Sequence, residues 1–253
     1  MLGRLFRRSE GRSGGFQAPI QLERPVYAIG DVHGRADLLA KLMEDVLRDG
    51  LRCDTKPLIV FLGDYIDRGE ASRETIEFLM AIAGWEEVEC VFLMGNHEAM
   101  LLDFLEVPKR GERWMRFGGL QTLASYGVGG FRNLTHETEL ARVRDALFSA
   151  MGPHLEFLGD LRCCHLVGNV FFAHAGADPV VPIPEQDRQV MLWGCDTFLE
   201  QRRRDGTWVV YGHYISDTPV VASGRIGIDT GAYFSDRLTA VRLDEQPPRF
   251  MAT

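Results

Sequence analysis

Apolar and polar positions follow two different patterns through the first hundred residues. Three short, mainly apolar runs have the composition of buried strands: VYAI at 26–29, LIVFL at 58–62 and VECVFLM at 88–94. Between these runs, apolar side chains recur on one face of two predicted helices, which end near Gly50 and Gly84. The order strand, helix, strand, helix, strand favours parallel strands joined by right-handed crossovers.

A helical pattern occupies residues 98–160, and strands return after it. We predict a helical cap over this segment, in which the WMRFGGLQTL stretch serves for packing, with the lining of a substrate groove as the alternative. The runs CCHLV and NVFFA predict a hairpin across Gly168 and Asn169. Four further strands are predicted from the runs WVVYG, PVVAS, RIGID and LTAVRL. These elements predict an α/β (α+β) fold of two mixed sheets flanked by helices, with a helical cap insertion.

The start of the chain differs from the rest in composition. Residues 1–20 are predicted to form a flexible basic tail, and residues 21–253 a single domain. The tail lacks the apolar stretch of a signal peptide. No later apolar run approaches the roughly 18 residues that cross a membrane. We therefore expect a cytoplasmic protein without a transmembrane segment, and its oligomeric state is left open.

The chain of 253 residues is acidic, with a formal net charge of -8. Its 45% hydrophobic and 25% charged residues are ordinary for a soluble globular protein. Broad nucleic-acid binding is not expected, because such binding neutralises phosphates with lysine and arginine. The five cysteines form no CxxC pair, which predicts reduced thiols rather than a disulfide framework or a zinc knuckle.

Polar side chains follow five of the predicted strands at the point where each strand ends. They lie in GDVHG (30–34), GDYIDRG (63–69) and GNHE (95–98), and at His174 and His213. Loops at the carboxyl ends of parallel strands meet in one crevice, so these side chains are expected to lie together. Oxygen and imidazole ligands in such sets suit Mn, Fe or Zn better than Ca. The sequence therefore predicts a metal site.

The motifs GDVHG, GDYIDRG and GNHE, with a later AHAG and GH, occur in an order and spacing that resemble one known family. The chain is similar, over about residues 25–243, to the phosphoprotein phosphatase family of calcineurin-like metallophosphoesterases. The stretches LGDYIDRG, GNHEAMLLDFL, FGGLQTLASYGV and IGIDTGAY resemble bacterial serine/threonine protein phosphatase-like members. The resemblance implies a metallophosphoesterase β-sandwich over residues 21–253 and a metal-dependent phosphoric monoester hydrolase.

The resemblance also implies which side chains bind two divalent metal ions. The first ion would be held by Asp31, His33 and Asp64. The second would share Asp64 and add the side chains of Asn96, His174 and His213. Mn²⁺ is the expected ion, with Fe or Zn as alternatives.

Catalytic and substrate-binding roles are implied in the same way. His97 would be the general acid, oriented by Asp67, because an imidazole suits proton transfer at neutral pH. Arg68 would clamp phosphate oxygens with its planar guanidinium. Asn96 and Tyr233 are further candidate contacts to the substrate, and Asp229 is a candidate to reach the site. The expected substrate is a phosphorylated protein or a small phosphoester, and serine/threonine protein phosphatase activity is the first prediction.

Two departures from the family pattern leave other functions open. Cys195 occupies the position where relatives carry a second phosphate-binding arginine, and Glu70 replaces a proline after the DRG motif. One of Arg202, Arg203 or Arg204 is a candidate to replace the missing arginine. The alternatives are a symmetrical dinucleoside tetraphosphate hydrolase and a weakly active, metal-bound protein that binds phosphorylated partners.

Overall fold

A computed structural model describes residues 16–131, 136–244 and 247–253. The first part of the chain alternates strands and helices: β1 (Val26–Ile29), α1 (Ala36–Gly50), β2 (Leu58–Phe61), α2 (Ser72–Ala83) and β3 (Glu89–Phe92). The strand β2 pairs in parallel with both β1 and β3. The predicted parallel arrangement is therefore confirmed.

Helices occupy most of the chain between β3 and the next strand. They are α3 (Asn96–Glu106), α4 (Gly111–Trp114), α5 (Leu120–Ser125), α6 (Glu137–Met151) and α7 (His154–Gly159). Their buried side chains, such as Leu101, Phe104 and Leu147, belong to the same apolar core as Ile29 and Phe61 of the first strands. This helical segment therefore packs as an extension of the main core.

The remaining elements complete two sheets, each with five strands in the described part of the chain. They are β4 (Cys164–Val167), β5 (Val170–Ala173), α8 (Arg188–Trp193), β6 (Trp208–Tyr211), β7 (Val220–Ala222), β8 (Arg225–Gly227), α9 (Ala232–Ser235), β9 (Thr239–Leu243) and β10 (Arg249–Ala252). The first sheet has the order β10-β9-β1-β2-β3, and the second has the order β4-β5-β6-β8-β7. Both sheets mix parallel and antiparallel pairs, as predicted, and β4 and β5 form the expected hairpin.

Alternating side chains of the short strands bury both faces of the first sheet. Val26 and Val60 face the second sheet and share a core with Phe172 and Ile226. The alternate side chains Tyr27 and Ile29 of β1, with Ile59 and Phe61 of β2, face the helices α1 and α2. This period-two alternation makes a sandwich with outer helices. The carboxyl ends of β1, β2, β5 and β6 thereby open towards one side, where the polar motifs follow.

The predicted tail is corrected at its last five residues. Residues 1–15 lie outside the described residues, but residues 16–20 contact the second sheet. The Phe16 ring lies 5.0 Å from the Trp208 ring, and the Trp208 Nε1 donates to the carbonyl oxygen of Ala18 at 2.9 Å. Asn169 also donates to the carbonyl oxygen of Pro19. The tail prediction is therefore wrong for residues 16–20, because the Phe16 ring packs edge-on against Trp208 and the carbonyl oxygens of Ala18 and Pro19 are hydrogen-bonded.

Among the described residues, no helix combines the length and the apolar composition needed to cross a membrane.

Candidate active site

The backbone at the strand ends adopts a conformation that is uncommon outside glycine. Positive φ angles occur at His33 (46°), Asp64 (51°), Asp67 (71°), Arg68 (67°) and His213 (60°). Each such backbone conformation raises the free energy of the folded chain by on the order of 1–3 kcal/mol, and it persists only where surrounding contacts fix it. The tight turns direct these side chains towards one crevice.

Glu98 fixes two of these loops to each other. This buried carboxylate, in the first turn of α3, accepts hydrogen bonds from the backbone N–H of Asp64 at 2.9 Å, Tyr65 at 2.8 Å and Gly95 at 2.9 Å. A side chain at Gly95 would collide with the Asp64 carboxylate, so only glycine allows this approach. Burial, followed by the nearby charge of Asp64, raises the pKa of Glu98 to about 7. The GNHE motif therefore carries a positioning glutamate that our sequence reading left without a role.

The Asp64 carboxylate lies at the centre of the site. Its Oδ2 is 3.5 Å from His33 Nε2 and 3.4 Å from His174 Nε2. Potential ligand atoms of His33, Asp64 and His97 lie within 4.8 Å of one another, and so do those of Asp64, His174 and His213. Asp64 is common to both groups, which is the arrangement expected of a carboxylate shared by two ions.

The imidazoles around Asp64 present lone pairs to it. The Nδ1 of His33 donates to the carbonyl oxygen of Ile66 at 2.9 Å, and that of His174 donates to the carbonyl oxygen of Leu62 at 3.0 Å. Burial lowers the pKa of both rings, for His33 to about 3, so each ring is neutral and its Nε2 carries a lone pair. Ligand histidines in metal sites are commonly oriented by such a bond from the other ring nitrogen.

Asn96 adds an oxygen to the same region. Its Oδ1 lies 2.8 Å from His174 Nε2 and 3.0 Å from His213 Nδ1. Burial also lowers the pKa of His213, to about 4. Electron-donating atoms of Asp64, Asn96 and His174 therefore face one another. A cation between them would relieve that repulsion, so the residues present fit a metal ion.

Asp31 lies at the edge of this cluster. Its Oδ2 accepts a hydrogen bond from the backbone N–H of His213 at 2.9 Å, while its buried Oδ1 has no hydrogen-bond partner among the described residues. Burial, followed by the charges of Asp229 and Asp64, holds the pKa of Asp31 well above its ordinary value. A buried carboxylate oxygen without a donor fits a cation as well. Asp31 is not a member of either compact group, whereas His97 is.

His97 and Asp67 form a buried pair beside the cluster. The His97 Nδ1 lies 2.6 Å from Asp67 Oδ2. Burial opposes protonation of His97, but the charge of Asp64 and the hydrogen bond to Asp67 outweigh it and raise the pKa of His97. Asp67 also accepts hydrogen bonds from Trp114 Nε1 at 2.8 Å and Thr122 Oγ1 at 2.6 Å.

These two contacts correct the prediction for the WMRFGGLQTL stretch. Trp114 and Thr122 are fully buried, as packing residues would be, but their polar atoms bind Asp67. Trp114 ends α4 and Thr122 lies in α5, with a kink at Gly118 between them, and both side chains reach Asp67. The segment therefore holds the carboxylate that contacts His97, and its role is more than packing.

Arg68 and Tyr233 lie together at the opening of the crevice. The Arg68 guanidinium lies over the Tyr233 ring, 4.7 Å from its centroid, and its Nη2 is 3.3 Å from His97 Nε2. The Tyr233 ring also contacts the His33 ring at 5.4 Å. The structure thus brings Arg68 and Tyr233 beside the cluster.

Arg203 does not supply the arginine that Cys195 lacks. Its guanidinium binds the Asp205 carboxylate and the carbonyl oxygens of Asp178 and Val181, at 2.7 Å and 2.9 Å. These bonds fix Arg203 in a surface loop, next to a cavity that it lines with Phe16. Cys195 itself is half-buried, with its Sγ 3.5 Å from Thr197 Oγ1. The prediction that one of Arg202, Arg203 or Arg204 replaces the missing arginine is therefore wrong for Arg203, and it stays a prediction for Arg202 and Arg204.

Comparisons with known proteins agree with this geometry. A family model described as calcineurin-like phosphoesterase matches residues 24–241. An asymmetrical bis(5'-nucleosyl)-tetraphosphatase of Oceanobacillus iheyensis is 30% identical, over 86% of this chain and 88% of its own length. Serine/threonine-protein phosphatase 1 of Salmonella typhimurium is 28% identical, over 87% of this chain and 92% of its own.

Solved structures show the same fold. The crystal structure of a putative diadenosine tetraphosphatase matches with a TM-score of 0.60 and 20% identity, over 90% of this chain and 93% of that one. A protein serine/threonine phosphatase from Saccharomyces cerevisiae matches with a TM-score of 0.54 and 14% identity, over 92% of this chain and 80% of that one.

Proposed function

Because this chain belongs to the calcineurin-like phosphoesterase family, we propose that it hydrolyses phosphoesters with two divalent metal ions bound around Asp64. The convergence of acceptor atoms on the Asp64 carboxylate is the observation that carries this proposal. Asp64 Oδ2 lies 3.5 Å from His33 Nε2 and 3.4 Å from His174 Nε2, and Asn96 Oδ1 lies 2.8 Å from His174 Nε2. There are too few protons among these atoms for every contact to be a hydrogen bond.

The residues divide between the two ions as the family resemblance implies. Asp31, His33 and Asp64 would hold the first ion, and Asp64, Asn96, His174 and His213 the second. Mixed oxygen and imidazole ligands suit Mn²⁺, with Fe or Zn as alternatives. When bound, two such ions polarise the phosphoryl group and make hydroxide available for in-line attack on phosphorus.

Three further side chains would act on the substrate. Arg68 lies at the opening of the crevice and would bind phosphate oxygens through its planar guanidinium. His97 would donate the proton that the leaving oxygen needs, and Asp67 would orient its ring and favour its protonated form. Tyr233 packs on Arg68 and would limit the orientations of that guanidinium.

The His97→Asn variant tests the general-acid role. Loss of a general acid costs roughly 10²–10⁴-fold in rate, and the loss is larger for a poor leaving group. We therefore expect a greater loss of kcat for a phosphoserine peptide than for p-nitrophenyl phosphate. The exposed His136 gives the control variant His136→Asn. Equal losses for the two substrates would contradict proton donation by His97.

Two substrate classes have support. Hydrolysis of phosphoserine and phosphothreonine in proteins is supported by the Salmonella typhimurium relative, which this chain matches over 92% of its length. Hydrolysis of dinucleoside polyphosphates is supported by the Oceanobacillus iheyensis relative and by the glycine-rich IDTGA ending. That relative is of the asymmetrical type, whereas the motifs suggested the symmetrical type.

A direct comparison of substrates separates these classes. The Mn²⁺-loaded protein is assayed with a phosphothreonine peptide and with diadenosine tetraphosphate, and the nucleotide products are separated by chromatography. Release of ATP and AMP indicates asymmetrical cleavage, whereas ADP alone indicates symmetrical cleavage. Failure to hydrolyse these substrates and p-nitrophenyl phosphate, with Mn²⁺, Fe²⁺ or Zn²⁺ present, would contradict the proposed function.

A further inference from the structure

A second concave surface lies between the helices α3 and α8. It has a volume of about 540 Å³, within the roughly 300–1,000 Å³ typical of small-molecule sites. Leu102 and Asp103 are on one wall, Arg188 and Trp193 are on the other, and Arg113 contributes to its lining. We call this surface the α3–α8 groove.

Both walls of the groove are joined to segments that carry candidate metal ligands. The helix α3 starts at Asn96, and the backbone N–H of Ala175, next to His174, donates to the carbonyl oxygen of Met191 in α8 at 2.7 Å. The Arg188 Nη2 lies 3.0 Å from Met94 Sδ, two residues before Asn96. At a rise of 1.5 Å per residue, Asp103 is about 10 Å along α3 from Asn96. A nucleoside with one or two phosphates spans that separation.

The groove combines a flat stacking surface with charges of both signs. The Arg113 guanidinium lies over the Trp193 ring, 4.5 Å from its centroid. Nucleobases stack on aromatic rings and on guanidinium planes alike. Asp103 Oδ1 accepts a hydrogen bond from Arg110 Nη1 at 3.3 Å, Glu106 adds a second carboxylate, and Arg188 adds a cation.

This distribution of charge favours a nucleotide over a peptide. An acidic peptide would meet Asp103 and Glu106, and a basic peptide would meet Arg110, Arg113 and Arg188. A nucleotide carries its negative charge at one end, hydroxyl donors in the middle and an uncharged aromatic base at the other end. The groove contains a counterpart for each part: Arg188 for the phosphates, the two carboxylates for the hydroxyls, and the Arg113–Trp193 pair for the base.

We propose that the α3–α8 groove binds the nucleoside of a nucleoside polyphosphate substrate. The base stacks on the Arg113–Trp193 pair, the ribose hydroxyls donate to Asp103 or Glu106, and Arg188 contacts the phosphate chain on its way to the metal ions. This assignment rests on the proposed phosphoester hydrolysis and names its substrate class.

The test is calorimetric binding of AMP and inorganic phosphate to the Mn²⁺-loaded full chain. Both ligands would bind the metal ions through their phosphate group, so the ratio of the two affinities measures the contribution of the nucleoside to binding. Base stacking contributes roughly 5- to 150-fold in affinity, and we expect AMP to bind more tightly than phosphate by a factor in that range. The variants Trp193→Ala and Arg113→Ala are expected to lose most of this advantage, whereas Trp193→Phe keeps it because it retains a ring.

Matched controls come from exposed residues outside the groove. Trp85→Ala and Arg116→Ala remove the same side-chain types from the surface and are expected to leave the affinity ratio unchanged. Equal affinities for AMP and phosphate in the parent protein would overturn the proposal, as would an unchanged ratio in Trp193→Ala. A loss of phosphothreonine-peptide affinity without a change in the AMP ratio would assign the groove to a peptide and also overturn it.

The proposed function is judged separately on the same samples by hydrolysis of p-nitrophenyl phosphate. If the protein hydrolyses p-nitrophenyl phosphate but binds AMP and phosphate with equal affinity, only the proposal of a nucleoside site is rejected. Absence of turnover with retained AMP preference removes the catalytic proposal and leaves the groove as a nucleotide-binding site.

Discussion

Two carboxylate sites near the two ends of β1 differ in the number of hydrogen-bond donors and positive charges around them. Near its start, Asp49 accepts hydrogen bonds from the Tyr27 hydroxyl at 2.6 Å, Arg242 at 2.8 Å and Arg249 at 2.6 Å. Partial burial opposes ionisation there, but these donors outweigh it and lower the pKa of Asp49 to about 2. Just after its end, Asp31 has a buried oxygen that finds no donor within the described part of the chain, and burial with neighbouring carboxylates raises its pKa.

The difference separates a structural cluster from a binding site. The chain's own arginines and tyrosine complete the Asp49 cluster, so that cluster needs no ligand. Around Asp31 and Asp64 the neighbours include the neutral imidazoles of His33 and His174 and other oxygens, and the charge of His97 offsets the negative charge only in part. Buried charges without a partner are costly. External cations therefore have a reason to bind at one cluster and none at the other.

The largest expected effect comes from Asp64→Asn, which removes the charge shared by both ligand groups. Two-metal catalysis contributes several kcal/mol, so kcat for p-nitrophenyl phosphate should fall on the order of 10³-fold or more. Bound Mn²⁺, measured by mass spectrometry after desalting, should fall as well. The control is Asp49→Asn, for which kcat and Mn²⁺ content stay at the parental level. A retained Mn²⁺ content in Asp64→Asn would contradict the shared-ligand role.

A smaller effect is expected at the boundary between the site and the helical segment. Thr122→Val removes one hydrogen bond to the buried Asp67 carboxylate, and bonds to charged groups contribute about 1.5–3 kcal/mol. We expect kcat to fall roughly 10- to 100-fold, with little change in KM, because Asp67 orients His97 rather than the substrate. The exposed Thr55 gives the control Thr55→Val.

The alternative outcome for Thr122→Val separates orientation from packing. If the free energy of unfolding falls while kcat is unchanged, the helical segment only packs against the site. The pH profile of kcat gives a second measure. A weakened Asp67 would support the raised pKa of His97 less well, so the alkaline limb, on which the general acid loses its proton, would move to lower pH.

The smallest effect is expected for the stability contribution of Asp49. Its pKa is lower in the folded chain, at about 2, than the roughly 3.9 of an unfolded aspartate. The contribution is therefore present above about pH 4 and is lost as the pH falls towards 2. At pH 7, Asp49→Asn should lower the free energy of unfolding by about 1 kcal/mol, the level of partly exposed ion pairs.

Urea unfolding of Asp49→Asn and the parent at pH 7 and near pH 2.5 checks this expectation. The difference between the two proteins should shrink at the lower pH. A difference that stays constant, or grows as the pH falls, would mean that Asp49 acts through packing and not through charge.

The ligand cluster could be predicted from the sequence because its residues follow short apolar strands directly. Each motif combines a buried strand with a tight turn, and parallel pairing then brings the turns together. His174 and His213 follow their strands in the same way. Local sequence was sufficient here because the backbone connects each side chain to a strand whose place in the sheet is set by its apolar pattern.

Other parts of the site depend on contacts between distant segments, which local patterns do not contain. Trp114 and Thr122 reach Asp67 across 47 and 55 residues. Glu98 was visible only as the last letter of a motif, and its bonds to Asp64 and Tyr65 depend on how two loops fold together. The strand β10 was missed because its four side chains are half-buried or exposed at a sheet edge and show no clear alternation.

Anomalous diffraction from a crystal of the full chain grown with Mn²⁺ tests the central claim most directly. We predict two anomalous peaks per chain, about 3.5–4 Å apart and on either side of the Asp64 carboxylate. One should lie against Asp31 and His33, and the other against Asn96, His174 and His213, with no peak at Asp49. A single peak at the site, or two peaks that do not share Asp64, would contradict the two-metal centre.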